Sequence, residues 1–221
     1  MKILALETSG ITADLCILDT ASNKTWDKHL TEVNKVAEVI TDEIVSILDL
    51  AKIKLNQIDI IAVGIGPGSY TGTRVGIATA KGLAQGLKIP IIGVNNFEAL
   101  IEGINESAQN KKKIIPLIDA KNSRVYYQLD SSSNKITKQG CDYIKAVLNK
   151  IQTKNPIFVG SGASINKEII IKNFENNIKI EKQDQIMSKY IAQIAYRRAS
   201  EKSYDDIKTI KPLYLNKPNI G

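Results

Sequence analysis

One histidine, His29, and two cysteines, Cys16 and Cys141, are the chain's whole stock of imidazole and thiol groups. A zinc site would need all three and a carboxylate to converge without any clustered spacing. A Ser-His-Asp or Cys-His catalytic unit would have to use His29. That residue sits beside Trp26 among lysine and aspartate and reads as a surface residue. Cys16 falls inside an apolar strand pattern and reads as a buried free thiol. No apolar run approaches the roughly 18 residues of a membrane span. Met-Lys-Ile-Leu-Ala-Leu reaches Glu7 after four apolar residues, too few for a signal-peptide core. These scarcities predict no metal, no peptidase constellation, no membrane partner and a cytoplasmic location.

A chain of 221 residues, 43% of them hydrophobic, suits one large domain or two small ones with a real core. The net charge of +7 permits nucleic-acid contact. The lysines are scattered, however, and Lys111-Lys112-Lys113 is the only run, so a solvated lysine face is the favoured reading.

The densest glycine cluster stands at Ile61-Ala-Val-Gly-Ile-Gly-Pro-Gly-Ser-Tyr-Thr-Gly-Thr-Arg-Val-Gly-Ile77. An apolar run enters the loop and a helix-like segment leaves it. Backbone in such a loop can approach an anion or another chain closely. The spacing fits neither the P-loop nor the dinucleotide fingerprint. From Gly66 the sixth residue is Thr71, and Gly64-x-Gly66 leads to Ser69. A tight strand-to-helix turn explains the glycines equally well.

Lys2–Leu6 runs apolar into Glu7-Thr8-Ser9-Gly10, and Ala13–Asp19 returns as a strand, which predicts a hairpin. A third strand is expected near Lys24–His29. Val33, Val36, Ala37, Ile40, Ile44, Ile47, Leu48 and Ala51 then fall at helical spacing, with Val39 and Val45 off the main stripe and Thr31 or Asn34 as a cap. Ile58–Ile65 reads as a strand buried on both faces. Thr73–Leu87 reads as a helix with little polar surface. Gly76, Ala80 and Ala84 form one row of small residues, and Ala78 and Gly82 a neighbouring one. A helix apolar nearly all round is covered on nearly all sides, so one face is expected on a sheet and another on a second chain. Ile89–Val94 reads as a strand, and Asn95 or Asn96 as the cap of a helix through Gly103.

The second half echoes the first. Ile114–Ile118 runs into Asp119, a turn follows, and Val125–Leu129 returns; Ile157–Val159 enters Gly160-Ser-Gly162. This self-similarity predicts two related halves. The expected boundaries are 1–104, a linker at 105–113, and 114–221, the last ending in a helix at Ser188–Ser203 and an extended tail at Pro212–Leu215.

Two hairpins, each carrying an acidic residue, resemble the actin/sugar-kinase/Hsp70 (ASKHA) superfamily: a duplicated α/β fold of two sub-domains with mixed sheets flanked by helices, the second reduced. Ile3-Leu-Ala-Leu-Glu7-Thr-Ser9, the glycine loop through Gly72, Arg74-Val-Gly76, Ala80-Lys-Gly-Leu-Ala84, Ile118-Asp-Ala120, Val125-Tyr-Tyr127 and Pro212-Leu-Tyr-Leu215 are similar to the bacterial TsaB (YeaZ) family. The resemblance covers nearly the whole chain in order.

It implies a catalytically silent paralogue of TsaD, the enzyme that makes threonylcarbamoyladenosine beside the tRNA anticodon. The implied partners are TsaD directly, the ATPase TsaE in the complex, and tRNA indirectly through it; a homodimer is open to the isolated chain. TsaD holds a metal with a histidine pair, which one histidine cannot supply. The chain then has no cofactor of its own, and nucleotide is admitted only at the complex interface. The implied interface is Val33, Val36, Val39, Ile40, Tyr70, Thr73, Arg74, Gly76, Ile77, Ala80, Lys81 and Ala84, forming half of an intermolecular four-helix bundle, so that Ala80→Glu blocks pairing in a folded monomer. Glu7, Thr8, Ser9 and Asp119 would be a vestigial nucleotide or anion loop. The chain departs from the family at Asn34-Lys35, Tyr70, Thr73, Asn216 and Glu7. An ATP-dependent kinase or phosphatase of the same superfamily is the alternative, with phosphates held at Ser9–Gly10 and Asn122–Ser123.

Overall fold

A computed structural model describes residues 1–30, 35–105, 113–130, 137–174, 178–181 and 186–216. The expected helix start at Thr31–Asn34 and most of the expected linker lie outside them. Among the described residues no helix is long and apolar enough to cross a membrane.

The first compact unit comprises Met1–Ala99 and Ile186–Leu213. Its chain runs β1 (Lys2–Glu7), β2 (Ala13–Asp19), β3 (Lys24–Leu30), α1 (Val36–Ala51), β4 (Ile60–Gly64), α2 (Tyr70–Leu87) and β5 (Ile91–Val94), then enters α3 (Asn96–Asn105). The strand order is β3-β2-β1-β4-β5. The β1–β2 and β2–β3 pairs are antiparallel, and β1, β4 and β5 run parallel. The central strands β1 and β4 are buried along nearly their whole length, as a sheet covered on both faces requires. Leu4, Leu6, Leu15, Ile17, Ile61 and Val63 pack with Ile40, Ile44 and Ile47 of α1 and Ile77, Ala80 and Ala84 of α2 in one core.

The second unit comprises Leu100–Gln185 and Tyr214–Gly221. It contains β6 (Ile114–Asp119), β7 (Arg124–Asp130), β8 (Thr137–Tyr143), α4 (Ile144–Leu148), β9 (Ile157–Val159), α5 (Ser161–Ile165), α6 (Lys167–Phe174) and β10 (Lys179–Ile180). Its order, β10-β9-β6-β7-β8, repeats the first sheet: a hairpin at one end, and parallel strands β6, β9 and β10 at the other. The duplication read from the sequence is thus present in the topology. Its core gathers Leu117, Val125, Tyr127, Val147, Phe158 and Ile170.

The units are not the two sequence halves. Helix α7 (Ser188–Ser200), expected to complete the second half, packs on β1, β2 and β4 of the first. Ile191, Ala192, Ile194, Ala195 and Ala199 are buried there. The covered sheet has two apolar faces; α1 and α2 cover one, and the chain returns to cover the other.

Candidate functional site

In the first unit the parallel strands end together. β1 and β4 pair from Ile3↔Ile60 to Leu6↔Val63, which sets Glu7 beside Gly64. Open α/β sheets place their sites outside the carboxyl ends of such strands. Here three segments converge: the turn after β1, the glycine loop after β4, and the start of α3.

The turn closes on itself. Glu7 Oε1 accepts from the Ser9 amide and from the Ser9 hydroxyl, both at 2.6 Å. Asn96 Nδ2 donates to Ser9 Oγ at 2.7 Å and to the Pro67 carbonyl at 3.1 Å. The Asn96 amide donates to Gly66 O at 2.9 Å, and the Ser69 amide to Ser9 O at 2.8 Å. Glu7, Ser9 and Asn96 are all buried. Burial, and secondarily the nearby Asp14, push the Glu7 carboxyl from its ordinary 4.5 to about 7, against the pull of its hydrogen bonds from Ser9.

The glycines serve this packing. A Cβ on Gly72 would overlap the Thr8 carbonyl, and one on Gly76 the Thr8 hydroxyl. Thr8 Oγ1 donates to Gly72 O at 2.7 Å. Ser69 caps α2, its hydroxyl accepting from the Gly72 amide at 3.3 Å. The expected anion loop at Glu7, Thr8 and Ser9 is therefore corrected: the three do come together, but their polar groups face one another and the helix. Asp119 lies in the second unit, where Oδ1 accepts from the Lys121 amide at 3.0 Å and Oδ2 is 3.1 Å from Lys121 Nζ.

The expected interface divides in two. Thr73, Gly76, Ile77, Ala80 and Ala84 face the chain's own sheet and are buried; so are Val36 and Ile40 of α1. Ala80 is 0% exposed. Their assignment to a docking face is corrected, and with it the expectation that Ala80→Glu leaves a folded monomer. The small side chains let α2 approach β1 and β4. Val39 and Lys81 are half-buried, and Val33 lies outside the described residues.

The outward face of α2 is the row that recurs every fourth residue: Tyr70, Arg74, Ala78, Gly82 and Gly86, all exposed. The Arg74 guanidinium lies 3.8 Å over the Tyr70 ring. Nothing stands within 4 Å of a Cβ placed on Gly82 or Gly86. On α1, Ala37 and Thr41 are exposed, as are Val45 and Leu50, the last two by 53% and 60%. The alternation of small rows on α2 signalled two covered faces, but not which row met which partner. Asn96 read only as a helix cap; the cap is Asn95, whose side chain accepts from the Phe97 amide at 2.9 Å.

Two sheets of one topology, a hairpin ending in an acidic residue, and a strand–glycine loop–helix joint define a duplicated ASKHA-type α/β protein. A family model described as TsaD, tRNA N6-adenosine threonylcarbamoyltransferase, matches residues 33–219. The TsaB protein of Haemophilus influenzae is 29% identical, over 97% of this chain and 93% of its own. The Bacillus subtilis TsaB is 30% identical, over 77% of this chain and 75% of its own. YeaZ from Pseudomonas aeruginosa superposes with a TM-score of 0.78 at 20% identity, covering 97% of this chain and 99% of that one. The chain belongs to the TsaB (YeaZ) family, within the wider group that the TsaD model spans.

Proposed function

We propose that this protein takes part in tRNA threonylcarbamoyladenosine biosynthesis as a non-catalytic subunit that docks on TsaD and supports it. The relatives carry the name tRNA threonylcarbamoyladenosine biosynthesis protein TsaB. The observation that carries the docking reading is the outward row of α2. Ala78, Gly82 and Gly86 offer no side chain larger than a methyl, on a helix that packs beside α1. Such a surface lets a partner helix approach to backbone distance. TsaE joins the pair, this chain holds no cofactor of its own and leaves the complex interface as the one place open to nucleotide, and tRNA is met through the complex. The kinase or phosphatase alternative is disfavoured because the Ser9 amide is spent on Glu7 rather than presented to a phosphate.

The test is co-purification with TsaD. Ala78→Glu and Gly82→Glu keep the fold, because both positions face outward, and abolish pairing. Normal co-elution of both folded variants overturns the docking face.

A further inference from the structure

Two buried oxygens at the strand ends have no hydrogen-bond partner: Glu7 Oε2 and Asn96 Oδ1. They crowd one point. A Cβ on Gly64 would overlap Glu7 Oε2 and stand 2.7 Å from Asn96 Oδ1. The orientation of Asn96 is fixed by chemistry, since the Pro67 carbonyl can only accept and so must face Nδ2. Its oxygen is thereby turned to the carboxyl of Glu7. Two acceptors facing each other in a buried site repel unless a donor lies between them.

We infer that the missing donor is a proton on Glu7 Oε2, which closes a ring Glu7–Ser9–Asn96 and makes the glycine loop's anchorage a proton-dependent latch. With the proton in place every oxygen of the ring is satisfied. Ser9 Oγ donates to Oε1 and accepts from Nδ2, and Oε2–H donates to Oδ1. Without it, Oε2 and Oδ1 oppose each other where the loop is pinned through Asn96 N to Gly66 O and Ser69 N to Ser9 O. The latch thus joins the protonation of β1 to the entry turn of α2.

The surroundings favour the neutral acid. From β2, Asp14 faces Glu7 across the ladder and repels a second charge. Asp14 itself meets Ser188 of α7 and His29 of β3. Gly64 of β4, Pro67 of the glycine loop and Asn96 of α3 contribute no charge, and α2 approaches through Gly72 and Gly76, which meet Thr8. The Ser9 hydroxyl, and after it the Ser9 and Gly10 amides, oppose the rise of the Glu7 pKa. Titration near 7 follows from this balance. The raised value makes the proton a stabiliser. Its contribution is full below the unfolded 4.5 and is lost as pH rises through about 7.

The experiment compares the full chain with Glu7→Gln, whose amide supplies a permanent donor to Asn96 Oδ1. Unfolding is measured by denaturant from about pH 4.5 to 9, in sodium and in potassium salts. For the native chain relative to Glu7→Gln, the folded-to-unfolded ratio falls about tenfold per pH unit up to about 7, then levels. Parallel profiles overturn the inference. So does native stability at neutral pH that rises with sodium or potassium only when Glu7 is present, since a cation then fills the gap. Carboxyl-carbon NMR of the native chain labelled with ¹³C-glutamate gives a reading without mutation. A site assigned to Glu7 that titrates near 7 supports the latch, and one that titrates near 4.5 overturns it.

Discussion

Asp14 on β2 accepts from both the amide and the hydroxyl of Ser188, at 2.6 and 2.7 Å, across 174 residues of sequence. The carboxylate thus holds the first turn of α7, where a negative charge also meets the helix's positive end. His29 Nδ1 pairs with its other oxygen. Burial is the largest influence on Asp14 and raises its carboxyl; the Ser188 bonds and His29 oppose that rise.

Asp14→Ala leaves the Ser188 donors without their buried acceptor. We expect a loss of about 2–3 kcal/mol, read as a melting temperature lower by about 4–12 °C for a chain of this size. An unchanged melting temperature would contradict the anchoring role.

Two glycines of one helix predict opposite signs. Gly76→Ala drives a methyl into the Thr8 hydroxyl and costs about 1–3 kcal/mol by overpacking. Gly86→Ala meets open space and stabilises by about 0.5–1 kcal/mol through helix propensity. Denaturant midpoints of the two variants should bracket that of the native chain.

Ala80→Glu is expected to yield insoluble or unfolded protein, because it buries a carboxylate in a site closed to solvent. Ala78→Glu, two residues earlier, should be soluble with native circular dichroism. Equal behaviour of the pair would mean that α2 is rotated from the position described.

The thiols should react in a fixed order. Cys16 is buried, and desolvation first, then Asp27, pushes its pKa far above the ordinary thiol range. Cys141 is half-buried, and desolvation raises its pKa too, partly offset by Arg124. Mass spectrometry after brief alkylation of the native chain at neutral pH should find Cys141 modified first, slowly, and Cys16 only after unfolding.

Much of the fold was legible because local patterns carry it. The β-branched run before the glycine loop, the two acidic hairpins and the helical stripe at Ile40, Ile44 and Ile47 all appear where expected. The weak third strand is real and extends to Leu30. The candidate site was less legible. A row of small residues such as Gly76, Ala80 and Ala84 has the same spacing whether it meets its own sheet or another chain. Thr8 and Val63 against Gly76, and the sheet core around Ala80 and Ala84, decide between them. The Asn96 ring was hidden because its members are 87 residues apart and no local periodicity links them. The placement of α7 was missed for a similar reason: its inward residues show that it is buried, but not against which sheet.

The return of α7 also bears on synthesis. The buried carboxylate of Asp14 has no donor from Ser188 until residue 188 has emerged from the ribosome, long after β1 and β2 are made. A nascent chain paused before that point carries a sheet with one uncovered apolar face, and it is then that a chaperone would find something to hold.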